Sequence, residues 1–156
     1  MNRYNKKIGI TFEPSQGGFI ALVSVEDLIG NNKTLDELLN WAVKIYNTAI
    51  KKLKIIIKKK EKIKLEKTPI PALLVWDFGD IIIKLIDKLF KKNLEIEDLY
   101  EHLERDLTVC KSTVANAVTF RRYISKRKIL PPGLNWSSVK GKPKKFALEL
   151  LDGEKE

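Results

Sequence analysis

Ser112, Thr113, Asn116, Thr119, Arg122, Tyr123 and Lys126 place seven hydrogen-bonding side chains on one short stretch, with no carboxylate among them. Val114, Ala117, Val118 and Ile124 interleave with them at helical spacing. Burying that apolar set leaves the polar set facing outward or flanking. Their chemistry suits the reading of base edges: Asn116 can bond adenine in bidentate fashion, and Thr119 can reach a thymine methyl or an acceptor. Arg122 can pair with guanine or with a phosphate. Lys111, Ser112, Arg121 and Lys126 lie where backbone contacts are expected, and such contacts position a duplex without specifying its sequence.

Charge argues the same way. From Leu107 through Leu148 there is no Asp or Glu, while Lys111, Arg121, Arg122, Lys126, Arg127, Lys128, Lys140, Lys142, Lys144 and Lys145 fall in that run. The chain as a whole carries 30 basic and 20 acidic residues, a net +10, so these ten cations equal the entire excess. A solvated surface normally mixes both signs. An acid-free run of this length is better explained by phosphate contact, and double-stranded DNA is the expected partner.

Catalysis has little to stand on. The single histidine, His102, sits among Glu101, Glu104 and Asp106, and a surface position is expected for it. The single cysteine, Cys110, reads as a packing residue in a turn. One His and one Cys cannot build a four-ligand zinc site, and no glycine-rich phosphate loop or dinucleotide fingerprint is present. Asp77 and Asp80 share a helix without a strand-borne Glu-x-Lys beside them. The sequence predicts a protein that is not an enzyme and uses no metal or cofactor.

Elements on either side must position this polar set. Ile96, Leu99, Tyr100, Leu103 and Leu107 recur at three- and four-residue spacing, which predicts an amphipathic helix. Thr108 to Lys111 break the period, and Ser112 offers a hydroxyl to cap a second helix. The stretch Leu107-Thr108-Val109-Cys110-Lys111-Ser112-Thr113-Val114 resembles the helix-turn-helix signature, with Thr108 at the turn position where Gly is usual. That resemblance implies that the second helix enters the major groove. The alternative is an ordinary helical hairpin. Before it, Ala72 to Phe90 reads as a strongly apolar helix and a spine for the pair, with Trp76 and Phe78 as core residues. Gly79 in its middle disfavours helix by about 1 kcal/mol relative to Ala, so close approach of a neighbouring element is expected there.

After the second helix, Ile129-Leu130-Pro131-Pro132-Gly133 ends the helical register. Leu134 to Val139 and Lys145 to Leu151 are expected to flank Gly141-Lys142-Pro143-Lys144 as a basic hairpin. Three helices followed by such a hairpin is the winged-helix plan, with Lys142, Lys144 and Lys145 contacting DNA from the wing.

At the other end, Ile8, Ile10 and Phe12 alternate with polar or small neighbours, Pro14 to Gly18 supply a turn, and Phe19 to Val25 form a second strand-like run. Thr34 and Glu37 have the spacing of a capping box. Leu35, Leu38, Ala42, Ile45, Ala49, Leu53 and Ile56 then mark the apolar stripe of a helix to about Lys60. The combination Ile10-Thr11-Phe12-Glu13, Gly17-Gly18-Phe19-Ile20-Ala21-Leu22-Val23 and Thr34-Leu35-Asp36-Glu37-Leu38 resembles the HicB-type antitoxin domain, a prokaryotic family. It implies an antitoxin that represses its own operon, with a toxin as protein partner. Leu74-Val75-Trp76 with Gly79, Leu99 to Leu107 and Leu134-Asn135-Trp136-Ser137 also resemble the helical domain that precedes PD-(D/E)XK nuclease domains. The nuclease itself is matched by nothing in the chain.

Lys51 to Lys67 holds nine lysines and two glutamates, read either as a solvated helix end or as an auxiliary phosphate-contacting arm. Thr68-Pro69-Ile70-Pro71 prescribes an extended connection and the domain junction. The expected class is α+β: residues 1–67 as a β-hairpin and long helix for association, residues 68–156 as a winged helix-turn-helix. Because two strands are marginal alone and the long helix's stripe needs a cover, a homodimer is expected. The expected function is a sequence-specific duplex DNA-binding regulator of transcription. The alternatives are a non-catalytic accessory subunit of a defence, recombination or partition system and a structural DNA-coating protein. One cysteine, no leader and no long apolar span predict a cytoplasmic protein without membrane contact.

Overall fold

The computed structural model describes residues 7–12, 19–24, 32–92, 94–131 and 133–139, with side chains from Glu37 onward. The elements run β1 (Lys7–Phe12), β2 (Phe19–Ser24), α1 (Asn32–Leu65), α2 (Ala72–Lys91), β3 (Leu94–Ile96), α3 (Leu99–Leu107) and α4 (Lys111–Tyr123). Short 3-10 turns follow at Arg127–Ile129 and Trp136–Ser138. Backbone pairing sets β3 antiparallel to β2, with Leu22 opposite Glu95, and β2 antiparallel to β1.

The α+β class is corrected here to a mainly-α fold. Where side chains are described, the only strand is the three-residue β3, and the buried core is built almost wholly from helices. An N-terminal β-hairpin is therefore not half of the architecture. One expected strand of the C-terminal half is corrected as well. Leu134 to Val139, expected as a strand, closes into the turn Trp136–Ser138, and among the described residues it touches extended chain only through the bridge between Pro71 and Asn135. The Trp136 N–H donates to the Ile70 carbonyl at 2.7 Å, and the Ala72 N–H donates to the Leu134 carbonyl at 2.8 Å. These bonds use the segment's backbone groups to fasten the start of α2, so they are not offered to a second strand. Lys142, Lys144 and Lys145 of the expected wing lie outside the described residues.

Helix α1 has 34 residues and so extends about 51 Å. It starts at Asn32, which puts Thr34 inside the helix and not at its cap. Its other end is a Schellman motif: Lys67 takes the left-handed conformation at φ 57°, and the Thr68 N–H donates to the Ile63 carbonyl at 3.2 Å. Pro69 and Pro71 then prevent any continuation. Ala42, Tyr46, Ala49, Ile50, Leu53 and Ile56 are buried. Each large apolar side chain so buried stabilises by roughly 1.5–3 kcal/mol. Their cover comes from α2 and α3 of the same chain. That removes the reason for seeking it in a second copy. Buried residues on both sides of the Pro69–Pro71 passage belong to one core.

Helix α2 is the spine, as its apolar pattern predicts, with Trp76 and Phe78 both buried. Gly79 faces α4 at very close range: a Cβ there would lie 2.7 Å from the Ala117 carbonyl carbon and closer still to its oxygen. The close approach expected from that glycine is present. The amphipathic run from Ile96 divides differently from its periodicity, because Leu94 and Ile96 are buried in β3 and the helix begins only at Leu99. Asp98, left-handed at φ 54°, makes the corner between them.

Candidate nucleic-acid interface

The two helices α3 and α4 are joined by Thr108, Val109 and Cys110, a three-residue turn. Thr108 ends α3 in the left-handed conformation, φ 56° and ψ 48°, with its N–H donating to the Glu104 carbonyl. Glycine adopts this geometry without strain, and its usual presence at this turn position has that reason. Helix α4 starts at Lys111, one residue before the Ser112 cap expected from the sequence. Its first amide is satisfied by Glu104, whose Oε2 accepts from the Lys111 N–H at 2.6 Å. The Lys111 ammonium in turn pairs with Glu101 at 3.2 Å. Two carboxylates of α3 thus hold the start of α4, where the helix dipole favours negative charge. Cys110 is exposed, so the packing role expected for it is not what it does.

Burial separates the polar residues of α4. Val114, Ala117, Val118, Phe120 and Ile124 form the inward face. Lys111, Ser112 and Arg122 are exposed, and Thr119 and Tyr123 are half-buried. Thr113 and Asn116 are half-buried as well and look into a cavity of about 520 Å³. The same cavity is lined by Ile57, Lys60 and Lys64 from the end of α1 and by Leu74 and Phe78 of α2. The outward stripe of α4 is therefore Ser112, Ala115, Thr119 and Arg122, continued by exposed Lys126 and Lys128 beyond the helix end. Asn116 sits at its edge.

Arg121 departs most from its expected place as a phosphate contact. Its Nε donates to Asp80 Oδ1 at 2.8 Å, its guanidinium carbon lies 5.1 Å from the centroid of the Trp76 ring, and only 20% of its side chain is exposed. Lys84 completes the group, 2.9 Å from the other Asp80 oxygen. Burial alone would raise the pKa of Asp80, but the hydrogen bonds from Arg121 and Lys84 outweigh it and hold the carboxyl below its ordinary range. Trp76 donates its indole N–H to the Ile124 carbonyl at 2.7 Å, which closes the end of α4 against α2. Arg127 is tied to Asp77 at 2.9 Å. Among the described residues, no carboxylate pairs with Arg122, Lys126 or Lys128.

No family model matches the chain, and neither a curated protein nor a solved structure does. The chemistry of the site alone carries a functional reading.

Sequence reasoning missed Glu104 and Asp80, the two carboxylates that organise α4. Asp80 carried a signal, since it adjoins the glycine that marks the close helix contact. Glu104 carried none, because its role depends on the angle of the turn. His102 is half-buried on α3, and burial first, then the Arg105 charge, push its pKa down. Among the described residues no cluster of His, Cys, Asp and Glu has the arrangement of a metal site. Nor is any helix among them long and apolar enough to cross a membrane.

Proposed function

We propose that this chain binds duplex DNA through the outward face of α4 and the basic residues that follow it, as a regulator of transcription. The observation that carries the reading is the run of Arg122, Lys126 and Lys128 at and just beyond the end of α4, all exposed and paired with no carboxylate among the described residues. The start of α4 is less suited to a phosphate, because Glu101 and Glu104 already occupy its field. Contact is therefore assigned to the last two turns of α4, with Thr119 and Arg122 reading base edges and Lys126 and Lys128 holding the backbone. Arg121 supports this surface from beneath and stays out of the contact.

The test is selection from a library of randomised duplexes, followed by anisotropy titration of the selected site and of a mixed-sequence duplex. Thr119→Ala and Arg122→Ala should each cost about 1–3 kcal/mol on the selected site and much less on the mixed sequence. Failure to enrich any sequence, with both variants binding like the parent, would overturn the assignment. Equal weakening on both duplexes would leave α4 as a backbone contact, the behaviour of an accessory DNA-binding subunit.

A further inference from the structure

The outer face of α1 is a second cationic surface, remote in sequence from α4. Between Glu37 and Glu61 the helix has no acidic residue. Lys44, Lys51, Lys54, Lys58 and Lys62 are all exposed, and their spacing of seven, three, four and four residues puts them on the face opposite the buried stripe. They extend over about 27 Å of helix axis at 1.5 Å per residue. No carboxylate among the described residues pairs with any of them.

Folding does not account for this arrangement. Lysine near a helix C-terminus is favoured by the dipole, but only within the last turn, which covers Lys62 and not Lys51, Lys54 or Lys58. Like charges three and four residues apart repel, each pair weakening the helix by a few tenths of a kcal/mol, roughly. The apolar face of α1 gains its stability whatever lies on the outer face. The lysines therefore act against the helix that carries them, and a bound polyanion would reverse the sign of that effect.

We infer that this stripe binds the phosphate backbone of a nucleic-acid duplex without regard to sequence. Lysines are point charges without the planar fork that reads a base, and a row one helix wide matches a line of phosphates. An anionic membrane is the rival surface, since Ile55 is 54% and Leu65 85% exposed. A helix that lies in a membrane, however, needs a broad apolar face turned to the lipid. That face of α1 is already buried in the core. The inference stands apart from the reading of α4, because it requires no base recognition.

The experiment uses the full chain carrying Lys51→Gln, Lys54→Gln, Lys58→Gln and Lys62→Gln together, with the corresponding four Lys→Arg changes as a charge-keeping control. Each is titrated against a 30-bp mixed-sequence duplex over a range of salt, and against vesicles containing phosphatidylserine. The Gln set should lower the slope of log K against log salt by about 0.9 for each phosphate no longer neutralised, with affinity falling about tenfold or more at 0.1 M salt. The Arg set should bind like the parent. An unchanged slope in the Gln set, an Arg set that binds as poorly as the Gln set, or weakening seen only on vesicles would each overturn the inference. Lys126→Gln with Lys128→Gln on the same duplex keeps the two surfaces distinct: weakening confined to the α1 Gln set upholds the stripe and removes the backbone contacts assigned beside α4, and the converse removes the stripe.

Discussion

The carbonyl group of Ala117 lies where a side chain on Gly79 would begin, its carbon 2.7 Å from the ideal Cβ position and its oxygen nearer. In an open helix, Gly→Ala gains about 1 kcal/mol. Here the obstacle is backbone, which cannot rotate aside, and overpacking of this kind costs about 1–3 kcal/mol. Gly79→Ala should therefore lower the unfolding free energy in urea, against the propensity trend. A variant as stable as the parent would show that α2 and α4 separate freely.

Thr108 holds a left-handed conformation that a β-branched residue adopts at a cost of roughly 1–2 kcal/mol. Glycine removes that strain while gaining some freedom in the unfolded chain, so Thr108→Gly should stabilise by about 1 kcal/mol. Thermal unfolding of the variant decides this. A lower midpoint would mean that the threonine side chain supplies something the turn needs.

Asp80 accepts from Arg121 and is paired with Lys84, and Asp80→Asn should cost about 1.5–3 kcal/mol, the range for hydrogen bonds to charged groups. Its folded pKa is held below the ordinary value. The stability it contributes is therefore complete above about pH 4 and lost as pH falls through the folded value. The gap in midpoint between parent and variant should narrow in acid. A gap independent of pH down to the acid limb would exclude this linkage.

Tyr46 is fully buried and donates its hydroxyl to Asp106 Oδ2 at 2.5 Å, across 60 residues of sequence. Phenylalanine keeps the shape and loses the bond, so Tyr46→Phe should cost about 1.5–3 kcal/mol. Burial, then the hydrogen bond to Asp106, raise the pKa of the phenol. The unfolded chain gains by ionising first, so this contribution is complete below about pH 10 and lost as pH rises beyond it. Parent and variant should converge in alkali. Parallel curves would contradict the assignment.

Local pattern carried a good part of the fold. Apolar spacing predicted a helix from Ala72 to Phe90 where α2 runs to Lys91, and the pair of helices around Thr108. The prolines at 69 and 71 marked an extended connection, although α1 runs to Leu65 and not only to about Lys60, and Gly79 marked a close contact without naming its partner. The inward residues of α4 were legible too, because helical period alone assigns Val114, Ala117 and Val118 to one side. Such features depend on residues within a turn or two of each other.

What only the tertiary structure decided involves residues far apart in the chain. Arg121 reads as one more cation in an acid-free run until Asp80, 41 residues earlier, is seen to take its guanidinium. Ile96 fits a helical stripe, but pairing with β2 draws it into a strand. The stripe of α1 looked in need of a second chain, and α2 and α3 cover it instead. The segment after Leu134 reads as a strand, yet its amide and carbonyl groups bond to Ile70 and Ala72 and close it into a turn. Periodicity says which face of an element is apolar. It does not say what covers that face or which distant charge answers a given cation, since those follow from the packing of whole helices.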